Sequence, residues 1–81
     1  MELSIKLFAT LKDRAGSNRI AVDVGEPATV ESVLNVVSAE YPALAIALPS
    51  SLVAVNLAFA EPHTPVRPGD EVALFPPVSG G

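Results

Sequence analysis

Apolar and polar residues alternate from the first positions of the chain, with Leu3, Ile5 and Leu7 set between Glu2, Ser4 and Lys6. A period of two predicts a strand with one face buried. Leu11 to Asn18 breaks the pattern: it carries charge and ends in Gly16, Ser17 and Asn18, so it reads as a loop closing on a turn. Ile20, Val22 and Val24 restore the alternation, with Arg19 and Asp23 facing away, and the two strands are expected to pair as an antiparallel hairpin. Past Pro27 the period changes. Val30, Val33, Leu34, Val37 and Tyr41 recur at helical spacing, Thr29 stands where its hydroxyl can cap the first turn, and Glu31 complements the helix dipole. Pro42 is expected to close this helix. Ala43 to Leu48, bracketed by Pro42 and Pro49, fits either a short helical turn or a buried loop. Leu52 to Leu57 predicts a third strand, Phe59 marks a short one, and Asp70 to Phe75 predicts the last, with Val72 and Leu74 inward. Pro68-Gly69 suits the centre of a type II turn, proline presetting the first position and glycine accepting positive φ at the second.

One helix packed across one mixed sheet is an α+β arrangement. The composition supports a packed core: of 81 residues, 49% are apolar and 17% charged. A chain of this size supports one domain. Net charge is −4, with no basic stripe to release counterions from a phosphate backbone, so nucleic acid is excluded as a partner and basic protein surfaces are favoured. There is no cysteine and a single histidine, His63. A disulfide framework, a thiolate metal site, a multi-histidine site and a persulfide-carrying thiol are all excluded, and no metal or cofactor is expected on this chain. The apolar runs are far shorter than the roughly 20 residues of a membrane span, and the opening residues lack the pattern of a signal peptide. A cytoplasmic protein without membrane association is expected.

The most informative segment follows the last strand: Pro76, Pro77, Val78, Ser79, Gly80 and Gly81. Two prolines hold the backbone extended and cannot continue a central strand, and two glycines add no side-chain width. Six extended residues reach roughly 20 Å, so a domain over residues 1–75 would carry a thin, flexible tail over residues 76–81 able to enter a narrow channel in a partner. Phe75 shares parity with Glu71 and Ala73, opposite the inward pair, and is expected on the outer sheet face as a docking anchor. Phe59 is a second candidate for that interface. Phe8 reads as cover for the sheet edge. Lys6, Lys12, Arg14, Arg19 and Arg67 read as solvated charges, and His63 as an exposed loop residue. Asp70 and Glu71 would point to opposite faces of a strand, which argues against a catalytic carboxylate pair. Asp70 is expected to stabilise the Pro68-Gly69 turn, and Asn56 to bond loop backbone at a strand end.

Several stretches together resemble a known family: Phe8 to Gly16, the helix start Thr29-Val30-Glu31, the pair Val55-Asn56, and above all Gly69 to Gly81 with its Phe75-Pro76-Pro77-Val78-Ser79-Gly80-Gly81 ending. The chain is similar over essentially its whole length to the small subunits of molybdopterin synthase. The resemblance implies the β-grasp, ubiquitin-like fold, with four to five strands on one main helix. It implies a sulfur carrier in molybdenum cofactor biosynthesis, not an enzyme when alone. Gly81 would be adenylated by an ATP-dependent activating enzyme and converted to a thiocarboxylate with sulfur from a donor protein. The tail would then thread into the large synthase subunit, where the sulfur enters the dithiolene of molybdopterin. The implied assembly is a heterotetramer of two small and two large subunits, with apolar residues at the positions of Phe59 and Phe75 facing both partners. Alternatives are a carrier for a thiazole or tungsten cofactor pathway, and a ubiquitin-like modifier conjugated to lysines of other proteins.

Overall fold

The computed structural model describes residues 1–77. Strands β1 (Glu2–Leu7) and β2 (Arg19–Asp23) pair antiparallel with Leu3 opposite Val22 and Ile5 opposite Ile20, so both alternations bury the same face. Their connection is not the charged loop expected from its composition. It contains helix α1 (Ala9–Ala15), which buries Leu11 completely and ends at Gly16 with φ 73°. That left-handed cap closes on the carbonyl of Lys12, a conformation that glycine adopts without Cβ strain. One buried leucine in seven residues is too sparse a pattern to announce a helix.

Helix α2 (Val30–Glu40) starts as its sequence predicts and buries Val30, Val33 and Val37. Thr29 accepts from the Ser32 amide, and the Ser32 hydroxyl accepts from the Thr29 amide, so two otherwise orphaned donors are satisfied reciprocally. Pro42 ends this helix and also occupies the first turn of the next, α3 (Pro42–Ala45), where a missing amide costs nothing. A 3-10 turn at Leu48–Ser50 completes the helical reading of the ambiguous stretch, with Leu44 and Leu48 buried.

Among the described residues the main sheet has five strands, β2 and β1 being followed by Val72–Phe75 (β7), Leu52–Val55 (β4) and Ala58–Phe59 (β5) in that order. β4 and β5 form a hairpin, and β7 lies between β4, antiparallel, and β1, parallel. Two short strands escaped the sequence pattern: β3 (Ala28–Thr29) and β6 (Pro65–Val66) pair as a separate ribbon at the start of α2. Gly69 has φ 89° and the Asp70 amide donates to the Arg67 carbonyl, so the expected turn leads into β7. Leu3, Ile5, Leu7, Val72 and Leu74 form the inner sheet face against α2, and each such buried side chain contributes about 1.5–3 kcal/mol. This is the mixed-sheet, single-main-helix arrangement of the β-grasp fold, with α1 and α3 packed against each other. No helix among the described residues is long and apolar enough to cross a membrane.

Candidate interaction site

Strand β7 runs through the middle of the sheet and delivers the chain to Pro76 and Pro77. With Val72 and Leu74 buried beneath, strand parity turns Ala73 and Phe75 to the outer face. Antiparallel pairing does the same for Leu52 and Ala54 of β4 and for Phe59 of β5. The outer face therefore presents aromatic rings around small residues. Phe75 stacks on Phe8 with ring centroids 4.6 Å apart and planes 6° from parallel. Phe59 meets Phe75 edge-on at 6.3 Å. The stacked pair adds about 0.5–1.5 kcal/mol beyond the area it buries, and the solvent-exposed edge contact of Phe59 adds less. Beside the rings, Ala54 and Ala73 floor a depression of about 180 Å³, rimmed by Leu57, Lys6 and Glu71.

The burial of these rings differs in a way that sequence parity alone did not indicate. Phe75 is only half-buried on the outer face because Phe8 covers one of its sides. Phe59 remains 75% exposed. Phe8 does more than cover an edge: it follows directly after β1, and the parallel β1–β7 pairing places it against Phe75. Leu57, expected at the end of the third strand, lies beyond it, because β4 stops at Val55, and is 93% exposed. It occupies the hairpin turn between β4 and β5, where both central residues have positive φ, Asn56 at 51° and Leu57 at 71°. That is a type I′ turn, whose second central position ordinarily takes glycine. Because Asn56-Leu57 is recognised as a turn only from the pairing of β4 with β5, the sequence carried no signal for it.

Asn56 ties the hairpin to the approach of β7. Its side-chain oxygen accepts from the Glu71 amide at 2.9 Å, its amide nitrogen donates to Asp70 Oδ1 at 3.0 Å, and its backbone amide donates to the Glu71 carbonyl. The other Asp70 oxygen accepts from the Arg67 amide at 2.8 Å. These bonds, the Arg67 amide first and Asn56 second, hold the Asp70 carboxyl below the usual carboxylate range. The expected turn role of Asp70 and the expected backbone bond of Asn56 are thus parts of one clasp. Glu71 approaches Lys6 at 4.0 Å across the outer face, an exposed pair of small energetic weight. His63 is exposed and faces Glu61 at 3.3 Å.

The structure brings Phe59 and Phe75, the two interface candidates from the sequence, onto one face and adds Phe8 and Leu57 to it. Pro76 and Pro77 follow at the end of β7. Val78, Ser79, Gly80 and Gly81 lie outside the described residues.

Comparison with known proteins gives a consistent set of likenesses. The ThiS family matches residues 5–81. The molybdopterin synthase sulfur carrier subunit of Chlamydomonas reinhardtii is 32% identical over 83 residues, covering 100% of both chains. Small archaeal modifier protein 1 of Haloferax volcanii is 39% identical over 84 residues, covering 94% of this chain and 97% of the relative. A crystal structure of SAMP1 from Haloferax volcanii aligns with TM-score 0.87 at 37% identity over 100% of both chains.

Proposed function

This chain belongs to the ThiS family, and from that premise we propose that it carries sulfur for molybdenum cofactor biosynthesis as the small subunit of a molybdopterin synthase. The observation that carries the reading is the end-to-end likeness to a sulfur carrier subunit of that synthase. The aromatic outer face beside β7 supports it, because an exposed apolar platform next to the tail supplies the docking surface that such a carrier requires.

In this reading the Gly81 carboxylate, a poor electrophile, is activated by ATP on a separate adenylating enzyme. The resulting acyl-adenylate exchanges its adenylate for sulfur from a donor protein, leaving a thiocarboxylate. Phe59, Phe75 and their neighbours then dock on the large synthase subunit while Pro76, Pro77, Val78, Ser79 and Gly80 span the channel. There the sulfur is transferred to the pyranopterin precursor. The domain contributes position and a carried nucleophile, and the partner contributes the pocket and its acid–base groups. The reading places the chain in the cytoplasm, in a heterotetramer of two small and two large subunits.

The 39% identity to small archaeal modifier protein 1 favours a second reading, a ubiquitin-like modifier whose Gly81 is joined to lysines of other proteins. Both readings begin with adenylation and part afterwards. The deciding experiment incubates the chain with ATP, an activating enzyme and a sulfur source, followed by a thiol-selective alkylating reagent. With no cysteine in the sequence, any alkylated product reports acquired sulfur. Labelling that disappears on deletion of Gly81 is expected. An unlabelled chain, together with high-mass adducts that depend on Gly81, would replace the carrier reading with the modifier reading.

A further inference from the structure

The two edges of the main sheet are unequal. β5 has only two residues and follows a turn of two positive-φ positions, so it offers almost no ladder to an incoming strand. β2 has five, with neither proline nor glycine among them, and among the described residues it pairs on one side only. Natural edges of that kind are ordinarily blunted by bulges, prolines or inward charges.

The direction of the backbone groups on β2 follows from the bonds at its ends. Met1 and Val24 exchange bonds of 2.7 and 2.8 Å, and the Leu7 amide donates to the Asn18 carbonyl at 2.9 Å. Ladder bonds alternate along an antiparallel pair, so Ile20, Val22 and Val24 direct their backbone groups to β1. Arg19, Ala21 and Asp23 therefore direct theirs outward. The Ser17 hydroxyl confirms the direction at one end, bonding both the carbonyl and the amide of Arg19.

We propose that this free edge is an interface for a second copy of the same chain, the two β2 strands pairing antiparallel about Ala21. The strand reads Arg19-Ile20-Ala21-Val22-Asp23. In that register Ala21 faces the partner's Ala21 as a hydrogen-bonded pair, and Ile20 lies opposite the partner's Val22 on the core side. Arg19 lies opposite the partner's Asp23, twice by symmetry, and both side chains project from the outer face. Both side chains are exposed and lightly held: Arg19 donates to Ser4 Oγ at 3.0 Å, and Asp23, 87% exposed, pairs with the Met1 ammonium at 3.2 Å, so the cross-strand pair would compete with these contacts. A parallel arrangement in register would set Arg19 against Arg19, so the charge pattern selects the antiparallel one. The contact satisfies the outward groups of Ala21 directly, while those of Arg19 exchange their Ser17 bonds for it.

Ladders of five residues bury little area, and the dimer is accordingly weak, with a dissociation constant on the order of 100 μM. The result is a continuous sheet of two joined halves. Strand spacings of about 4.8 Å put β7 roughly 10 Å and β5 roughly 19 Å from β2, so the Phe75 and Phe59 rings of both copies stay clear of the seam.

Sedimentation equilibrium over about three decades of concentration, up to roughly 1 mM, measures the association. Arg19→Asp and Asp23→Arg, each alone, create two like-charge pairs at the seam and are expected to weaken self-association by about tenfold or more. Mixed in equal amounts, the two variants carry opposite signs at facing positions and are expected to associate as tightly as the unaltered chain. Circular dichroism melts confirm that each variant is folded. Concentration-dependent slowing of amide exchange at Ala21, in the unaltered chain, identifies the strand directly. A monomer at every concentration overturns the proposal and leaves the edge to a strand from another protein. So does a dimer indifferent to both charge reversals, or one that protects the aromatic face instead of Ala21.

Discussion

Leu57 is costly where it stands. A left-handed conformation for a residue with a Cβ costs roughly 1–2 kcal/mol, and 93% exposure means that burial returns almost nothing. Sites that hold such strain often do so for contact with something else. At this turn the leucine extends the apolar rim of the depression beside Phe59. Leu57→Gly is therefore expected to stabilise the isolated domain by about 1 kcal/mol in urea denaturation. Under the proposed function, the same substitution is expected to weaken binding to a large synthase subunit, read by titration calorimetry. Loss of affinity with a gain in stability separates a contact residue from a merely tolerated one; unchanged affinity removes Leu57 from the interface. The sequence did not reveal this because turn geometry depends on the register of β4 with β5, whereas the composition around Leu57 suggested only the end of a strand.

At the scale of elements, the strands and α2 were legible because each carries its own period, and Thr29 marked the start of α2 before any tertiary contact was considered. α1 was not, since its three charged residues stand side by side at Lys12, Asp13 and Arg14 and only Leu11 is buried. The β3–β6 ribbon was hidden for another reason: two-residue strands contain no period at all. Between these extremes lies the Asn56–Asp70 clasp, whose members were individually suspected but whose union requires the hairpin turn and the Arg67–Asp70 turn to meet. Its pH dependence has a definite sign. The folded carboxyl titrates below the ordinary value of about 3.9, so ionised Asp70 contributes its full stabilisation above that pH. The contribution falls away as pH drops through the lower folded value. Asp70→Asn is thus expected to lower the melting temperature near neutrality, with the difference from the unaltered chain shrinking below about pH 4. A difference that stays constant into acid would assign the effect to side-chain shape instead of charge.

Across the whole molecule, one strand connects core and candidate interface. β7 buries Val72 and Leu74 beneath the sheet while raising Ala73 and Phe75 above it, and it leads straight into Pro76. The outward position of Phe75 was legible from parity, but its shielding by Phe8 was not, because that stack exists only when the first and last strands lie side by side in parallel. This arrangement predicts different consequences for the two candidate anchors. Phe59 is largely exposed and meets Phe75 only at its edge, so Phe59→Ala is expected to change folding stability by no more than about 0.5 kcal/mol. Phe75 is half-buried and stacked, so Phe75→Ala is expected to cost about 1–3 kcal/mol of stability as well as affinity. If both rings anchor the large subunit, each substitution weakens binding by about tenfold or more. Urea denaturation and calorimetric titration of the same samples provide the comparison. For Phe59→Ala, normal stability with lost affinity supports an interface in which exposed aromatic area acts on a partner. Normal stability with normal affinity would confine the contact to Phe75 and the tail, and would leave the exposed ring without a role in docking.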